Sequence, residues 1–298
     1  MAGSEQVTGP RPLSRDSRGI VGADVFARTA TLNRYPAPEP LAGLVSQFWA
    51  VRWALPEGTE HHQQVLTHPC ANISVGSTEE RPEIAEARVY GVAREINTRR
   101  LHHDGWTVAA MTRPGGIGAF LAASAQDLTG RVVGVDEAFG IDESELLTAM
   151  GAAGDEVGQV RVLSDALAGV LERADPDRVA DAHDVAGVAR LAETDRGLRR
   201  VEQLAEAAGV GVRTLQRMFR EYAGVSPTWV LRRYRLLDAA ERVRDGRPVA
   251  WAELARELGF SDQAHLVREF RAALGQTPAA YARARRAERP GPERSDLA

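Results

Sequence analysis

The sequence contains a single cysteine, no lysine, and no uninterrupted apolar run approaching the roughly 20 residues that a membrane-spanning helix needs. One cysteine, Cys70, excludes a disulfide framework and any multi-cysteine zinc site, and a lone thiol suits a reducing compartment, where its ordinary role is that of a small buried core residue. The N-terminus has no apolar stretch of the signal-peptide kind. The chain therefore reads as cytoplasmic, with no membrane partner. Because all 37 basic residues are arginine, an arginine at any one position says little by itself, and a GC-rich coding bias accounts for the preference.

What is present fits a globular protein. A length of 298 residues with 44% hydrophobic and 26% charged content suits two ordinary domains with proper cores. The net charge of -4 conceals an asymmetry: residues 195–286 hold 18 arginines against 11 acids, whereas residues 1–194 hold 17 against 27. The first stretch is thus +7 and the second -10. A basic module fused to an acidic one suits a nucleic-acid reader joined to something that is not one.

Residues 1–32 mix Gly, Ser, Pro, Arg and Asp without sustained periodicity and are expected to form a disordered leader. From Asn33 to about Gly116 the spacing predicts short strands at Val45–Trp53, Gln64–Leu66, Asn72–Val75, Arg88–Val92 and Thr107–Met111, a pattern of small barrels and sandwiches. After Pro114-Gly115-Gly116 the apolar spacing turns helical, at Ile117–Leu121, Val135–Phe139, Glu143–Met150 and Val160–Leu171, which predicts a helical annex. The proline-centred polar stretch Arg173 to Arg178 reads as a break, placing a first domain at 33–175, a linker at 176–183 and a helical domain at 184–286. Residues 287–298 are expected to be a disordered tail.

The strongest signal is an internal repeat about fifty residues long. Leu204-Ala-Glu-Ala-Ala-Gly209-Val, Leu215-Gln-Arg217-Met-Phe219-Arg220 and Gly224-Val-Ser226-Pro227 recur as Leu254-Ala-Arg-Glu-Leu-Gly259-Phe, Leu266-Val-Arg268-Glu-Phe270-Arg271 and Gly275-Gln-Thr277-Pro278. Each copy has the physics of a helix-turn-helix: a small alanine where helices cross, a glycine for a left-handed turn, then a second helix. The offset grows from 50 to 51 residues, so the second turn carries one more residue. Leu215 with Phe219, and Leu266 with Phe270, lie four apart and anchor one helix face to a core.

The opposite face is left to meet DNA. Arg213, Thr214 and Arg217 occupy the N-terminal half of the first such helix, where arginine pairs bidentately with guanine O6 and N7. The second helix offers Gln263, Ala264, His265 and Arg268, a set suited to adenine, a thymine methyl and guanine. Arg220 and Arg271, beyond the phenylalanines, are placed for phosphates. Between the copies, Ser226 to Gly246 reads as one helix, with Ser226 as N-cap, Pro227 in the first turn and Gly246 at the end. Nearly 20 residues at about 1.5 Å each span roughly 28 Å, close to the ~34 Å turn of B-form DNA.

These motifs, over residues 184–284, resemble the DNA-binding domain of the AraC/XylS family of bacterial transcriptional regulators; Arg232-Arg233-Tyr234-Arg235, Phe260-Ser261-Asp262 and the closing Pro278-x2-Tyr281 belong to the same pattern. The resemblance implies paired units that read asymmetric half-sites in double-stranded DNA, with base contacts at Arg213, Arg217, Gln263, Ala264 and Arg268. Ala264 departs from the polar residues often found there. The protein is then nucleoid-associated when bound, and RNA polymerase is its partner if it activates. Tyr35-Pro36, Leu41, Val45, Phe48-Trp49-x-Val51-x-Trp53 and Arg113-Pro-Gly-Gly116 resemble the cupin-like sensor domain that precedes this DNA-binding domain in many relatives. That implies an α+β two-domain chain, a small N-terminal β-barrel with a helical annex and an all-α tandem helix-turn-helix domain, with a small-molecule effector, a second copy of the chain, or both as partners of the first domain.

Trp49, Trp53, Tyr90 and Trp106, together with His68, are the candidate lining of an effector pocket, core packing being their alternative role. His61-His62 and His102-His103 invite a metal, but neighbours on a strand point to opposite faces and no His-x-His occurs, so neither metal nor other cofactor is expected. An enzymatic reading fares no better. Repair proteins that fuse alkyl-transfer chemistry to this DNA-binding domain need a zinc-bound cysteine cluster, which one cysteine cannot supply.

Overall fold

In this computed structural model the described residues are 27, 29–65, 67–81, 84–244 and 249–288. Most of the expected leader and tail, Leu66, and the expected helix stop at Gly246 lie outside them. Among the described residues eight strands, β1 (Ala30–Tyr35), β2 (Val45–Ala54), β3 (Glu60–Val65), β4 (Asn72–Ser77), β5 (Ala85–Tyr90), β6 (Asn97–His102), β7 (Asp104–Thr112) and β8 (Val132–Gly134), build the first domain. Their pairing is antiparallel throughout, as a six-stranded sheet in the order β1-β2-β7-β4-β5-β8 and a separate β3–β6 ribbon. The β-rich first domain is as expected; its hydrogen-bonded ladders form six strands plus two.

Alternation along β2 shows why the sheet is covered on both sides. Phe48 and Ala50 face one way and join Ile73, Val75, Val89, Val108 and Ala110 in the main core, while Trp53, flanked by Trp49 and Val51, faces the other way and packs with Leu32, Leu55 and Leu101 of the ribbon. The strand β1 begins at Ala30, three residues inside the expected leader, because Ala30 and Leu32 alternate into that second cluster.

Beyond the sheet come single 3-10 turns at Gly116–Ala119 and Ala125–Leu128, then helices α1 (Val135–Phe139), α2 (Glu143–Ala152) and α3 (Glu156–Arg173). Val160, Leu163 and Leu167 of α3 close over the Phe48 face of the sheet. Glu156 in its first turn accepts hydrogen bonds from Tyr35 and Asn33, and Gln159 accepts one from Arg52, which fixes α3 on strands β1 and β2.

The expected linker is absent. Residues 176–183 form the first half of a 19-residue helix, α4 (Pro176–Thr194), capped by the Asp175 side chain with Pro176 in the first turn. Proline there starts a helix rather than breaking one, since the missing N–H would have no intrahelical partner in any case. Ala182, Val185, Ala186, Ala189 and Ala192 line its buried face, and α4 packs on the Gly116–Ala119 turn and on the C-terminal domain.

That domain comprises α5 (Val201–Ala207), α6 (Val212–Met218) with a π-wound turn at Phe219–Ala223, α7 (Pro227–Arg244), α8 (Trp251–Glu257), α9 (Gln263–Leu274) and α10 (Pro278–Glu288). Its two halves do not share a core. Leu204, Leu215, Phe219 and Tyr234 belong to the same apolar cluster as the sheet and α4, whereas Leu254, Leu266, Phe270 and Tyr281 form a second cluster with the far end of α7. Phe270→Ala is expected to cost about 3–5 kcal/mol and to expose amides in α8–α10 ahead of the rest. Phe219→Ala should instead loosen both domains. Hydrogen exchange on the two variants checks this, and uniform loss of protection in Phe270→Ala would contradict the division.

Candidate nucleic-acid interface

Each repeat unit closes its turn in the same way. In the first, the Val210 N–H donates to the Ala205 carbonyl at 3.0 Å and the Gly209 N–H to that of Glu206 at 3.0 Å; in the second, Phe260 donates to Ala255 at 2.8 Å and Gly259 to Arg256 at 3.1 Å. Both glycines are left-handed, at φ +67 and +72, a conformation that side chains with a Cβ resist. The repeat also sets the next helix in each unit. Ser226 Oγ accepts from the Trp229 N–H and Thr277 Oγ1 from that of Ala280, both at 3.2 Å, with Pro227 and Pro278 in the first turns.

The one-residue insertion has a physical consequence. Helix α6 starts at Gly211 with no side-chain cap, but the added residue brings Asp262 to the start of α9, where its carboxylate accepts from the His265 N–H at 2.7 Å. That bond, followed by the nearby Arg268 charge, holds the Asp262 carboxyl below the usual range.

Arg213, Thr214 and Arg217 are exposed on α6, as are Gln263, Ala264 and Arg268 on α9, while Leu215, Phe219, Leu266 and Phe270 are fully buried beneath them. Arg220 and Arg271 are exposed one residue past the phenylalanines. His265 differs from its neighbours. Half-buried, it engages Ser261 Oγ through Nδ1 at 3.0 Å and stands edge-on to Phe260, so it braces the turn instead of lying open on the outer face.

Arg235 of α7 was visible in the sequence only as part of a basic run. Its guanidinium donates to the carbonyls of Leu258, Gly259 and Arg199 and stacks over Phe260, so one side chain ties the second turn to the entry of the first unit. A basic residue that faces carbonyls at a helix C-terminus has no distinguishing sequence mark.

The first unit is fastened to the N-terminal domain by Arg178, which the linker reading concealed. Its Nε donates to the Gly118 carbonyl at 2.9 Å, Nη2 to that of Ala123 at 2.6 Å, and Nη1 to the Glu221 carboxylate at 2.9 Å, with the guanidinium over the Tyr222 ring. The Tyr222 hydroxyl donates to Asp181 at 2.7 Å, and burial, then that hydrogen bond, push its pKa up to about 12. At Gly118 a Cβ would come within 2.6 Å of the Tyr222 ring, so only glycine permits this approach. Thr129 Oγ1 donates to the Gly224 carbonyl at 2.7 Å alongside. The π-wound turn Phe219–Ala223 is the docked segment; its equivalent in the second unit continues as regular α-helix to Leu274.

The five residues expected to line one effector pocket are not brought together. Trp106 sits opposite Arg52 in register and so shares the α3-covered face, whereas Trp49, Trp53 and, through Asn72, Tyr90 belong to the other face. Trp53 Nε1 donates to the His102 carbonyl and Tyr90 is held by Arg99, so both serve the ribbon interface. His68 lines a separate cleft against α4 and α7. Among the described residues no group of three or more His, Cys, Asp or Glu side chains is placed to hold a metal, and no helix is long and apolar enough to cross a membrane.

Residues 204–284 match a family model described as a helix-turn-helix domain, and residues 33–134 match one described as a domain of unknown function. The chain is 35% identical over 75 residues to the HTH-type transcriptional activator RhaS of Pectobacterium carotovorum, and equally so to that of Pectobacterium atrosepticum. The match covers 25% of this chain and 26% of those relatives, so the chain spans about a quarter of their length. Among solved structures it is similar to the DNA-binding domain of AdpA in complex with a target DNA, at 35% identity and TM-score 0.32, covering 37% of this chain and 98% of that one. ToxT of Vibrio cholerae aligns over 80% of this chain and 98% of its own at 11% identity and TM-score 0.40.

Arg178→Ala is expected to destabilise the protein by about 1–3 kcal/mol, because it leaves the buried Gly118 carbonyl without its donor and removes the stack on Tyr222 at the domain junction. Arg178→Lys keeps the charge but not the planar fork, and should recover less than half of that loss. Chemical denaturation of the three proteins measures it; full recovery by lysine would sink the clamp.

Proposed function

We propose that this protein, whose C-terminal domain is a tandem helix-turn-helix of the AraC/XylS family, is a sequence-specific DNA-binding transcription regulator that responds to a small-molecule effector through its N-terminal domain. The observation that carries the reading is the pairing of two turns, closed by corresponding hydrogen bonds, that present unlike exposed faces. Arg213, Thr214 and Arg217 lie on one, and Gln263, Ala264 and Arg268 on the other. Unlike faces on a common frame suit two half-sites of different sequence, so one protomer reads an asymmetric element.

Arginines on α6 and α9 are placed for guanine edges, Gln263 for adenine, and Arg220 and Arg271 for phosphates. Helix α7, 18 residues and thus about 27 Å long, spaces the units on the scale of one DNA turn. The excess of arginine over acid in residues 195–286 supports the same partner. The reading is of a regulator rather than an enzyme, with RNA polymerase as partner where it activates and a second copy of the chain as a further partner. The matched regulators RhaS are named transcriptional activators, which favours the same assignment here.

Genome-wide mapping of bound sites supplies the cognate duplex. On it Arg217→Ala is expected to weaken binding by about 1–3 kcal/mol while leaving random-sequence DNA nearly untouched, and Arg271→Ala to weaken both alike. Fluorescence anisotropy on the two duplexes separates the roles. Equal losses on both for Arg217→Ala would defeat base reading.

A further inference from the structure

One cleft opens where three elements meet: the ends of β2 and β7, the exposed side of α4, and α7 between the two helix-turn-helix units. Six of its lining residues carry the chemistry: His68, Cys70, Arg113, Arg190, Glu193 and Tyr234. The cleft, open to solvent on one side, has a volume of about 30 Å³, against the roughly 10–15 Å³ that one water needs, so its occupant is a ligand of few heavy atoms that reaches outward along exposed Arg190 and Glu193.

Four side chains of this cleft keep hydrogen-bonding capacity that no described residue takes up: Arg113, Arg190, Glu193 and Tyr234. Tyr234 is only 7% exposed, yet its hydroxyl makes no hydrogen bond to any described residue. Tyr35, Tyr90 and Tyr222 each have a partner, Glu156, Arg99 and Asp181 respectively, as tyrosine hydroxyls in packed surroundings ordinarily do. Arg113 spends its Nε on the Ala42 carbonyl at 3.3 Å, and its two terminal nitrogens have no partner among the described residues. Arg190 and Glu193, one turn apart on α4, make no side-chain hydrogen bond or ion pair there either. Glu193 and Arg113 are both close enough to bear on the Tyr234 hydroxyl. Cys70 is a neutral wall, since burial pushes its thiol up to about 12.

We propose that this junction cleft binds a small free amino acid in its zwitterionic form, with Arg113, Arg190 and the Tyr234 hydroxyl on the carboxylate and Glu193 on the ammonium. Two guanidiniums beside one carboxylate are the complement of such a ligand. A bare carboxylate leaves Glu193 in its repulsive field, and a bare amine faces two cations. Since the lining comes from both domains, a bound ligand bridges the sheet to the helix that carries the second DNA-reading unit. It thereby favours one arrangement of the two units over others. This assigns the effector class and its location, and so rests on the regulatory reading above.

Calorimetry on the full-length protein tests it with glycine, alanine and serine as probes, and with acetate and methylamine as half-ligands. At least one amino acid should bind, with acetate and methylamine each at least tenfold weaker. Arg190→Ala and Glu193→Gln, both at exposed positions, should each lower that affinity tenfold or more, and Tyr234→Phe, which keeps the ring in place, severalfold. Absence of binding by all three amino acids, acetate binding as tightly as they do, or unchanged affinity in Arg190→Ala would each overturn the site. DNA affinity is measured separately by anisotropy without ligand: a protein that binds its duplex but no amino acid refutes only the cleft, and one that binds an amino acid but no DNA refutes the regulatory reading.

Discussion

A single apolar core runs from the sheet through α4 into the first helix-turn-helix unit, and Arg178 closes the polar gap where the two domains meet. Two of the acceptors it serves are backbone carbonyls, Gly118 inside one short turn and Ala123 just before the next, and the third is the Glu221 carboxylate. A guanidinium can satisfy several such groups at once because its donors form a fixed planar fork, and stacking on Tyr222 shields its remaining face. The first helix proposed to read DNA therefore cannot turn against the N-terminal domain without breaking these bonds, that of the buried Gly118 carbonyl among them.

The second unit is held differently. Its core is its own, and it reaches the first domain through Ile96, which packs on that core beside Gly275, while Arg233 of α7 donates to the nearby Arg94 carbonyl. The two copies of one motif thus sit in unlike mechanical settings. One is welded to the domain proposed to sense the effector, and the other is carried on α7 and steadied by Arg235 and by the loop that bears Arg94 and Ile96. The π-wound turn in the first copy, where the second has plain α-helix, marks the same difference, since the extra backbone width falls on the docked segment.

Such an arrangement suits a protein in which the spacing or angle of two reading heads is the controlled quantity. In such a protein the first unit, which shares its core with the N-terminal domain, would be the reference, and contacts along α4 and α7 would set the second relative to it. The proposed cleft lies on that path, between the strand ends and both helices.

Much of the C-terminal domain was legible because its determinants are local. Gly209 and Gly259 require a left-handed turn, Ser226 and Thr277 cap the next helix, and Leu and Phe at four-residue spacing select the buried face; all of these recur fifty residues apart. The N-terminal domain was legible only where strands alternate strongly, as in β2 and β7. The β3–β6 ribbon pairs polar segments such as Glu60-His-His-Gln-Gln and Asn97-Thr-Arg-Arg that show no apolar period, and their pairing is non-local. Pro176 was read as a break because proline carries the same sign at a helix start and at a loop, and only the packing of α4 distinguishes them. From the residues alone come two duplicated helix-turn-helix units, their glycine turns, the Ser226 and Thr277 caps and their unlike outer faces, for these follow from contacts within a few residues. Tertiary structure alone decided that Trp106 lies across the sheet from Trp49, that Arg178 joins two domains, and that Arg113, Arg190, Glu193 and Tyr234 share one cleft, because those groupings depend on strand order and helix docking between distant parts of the chain.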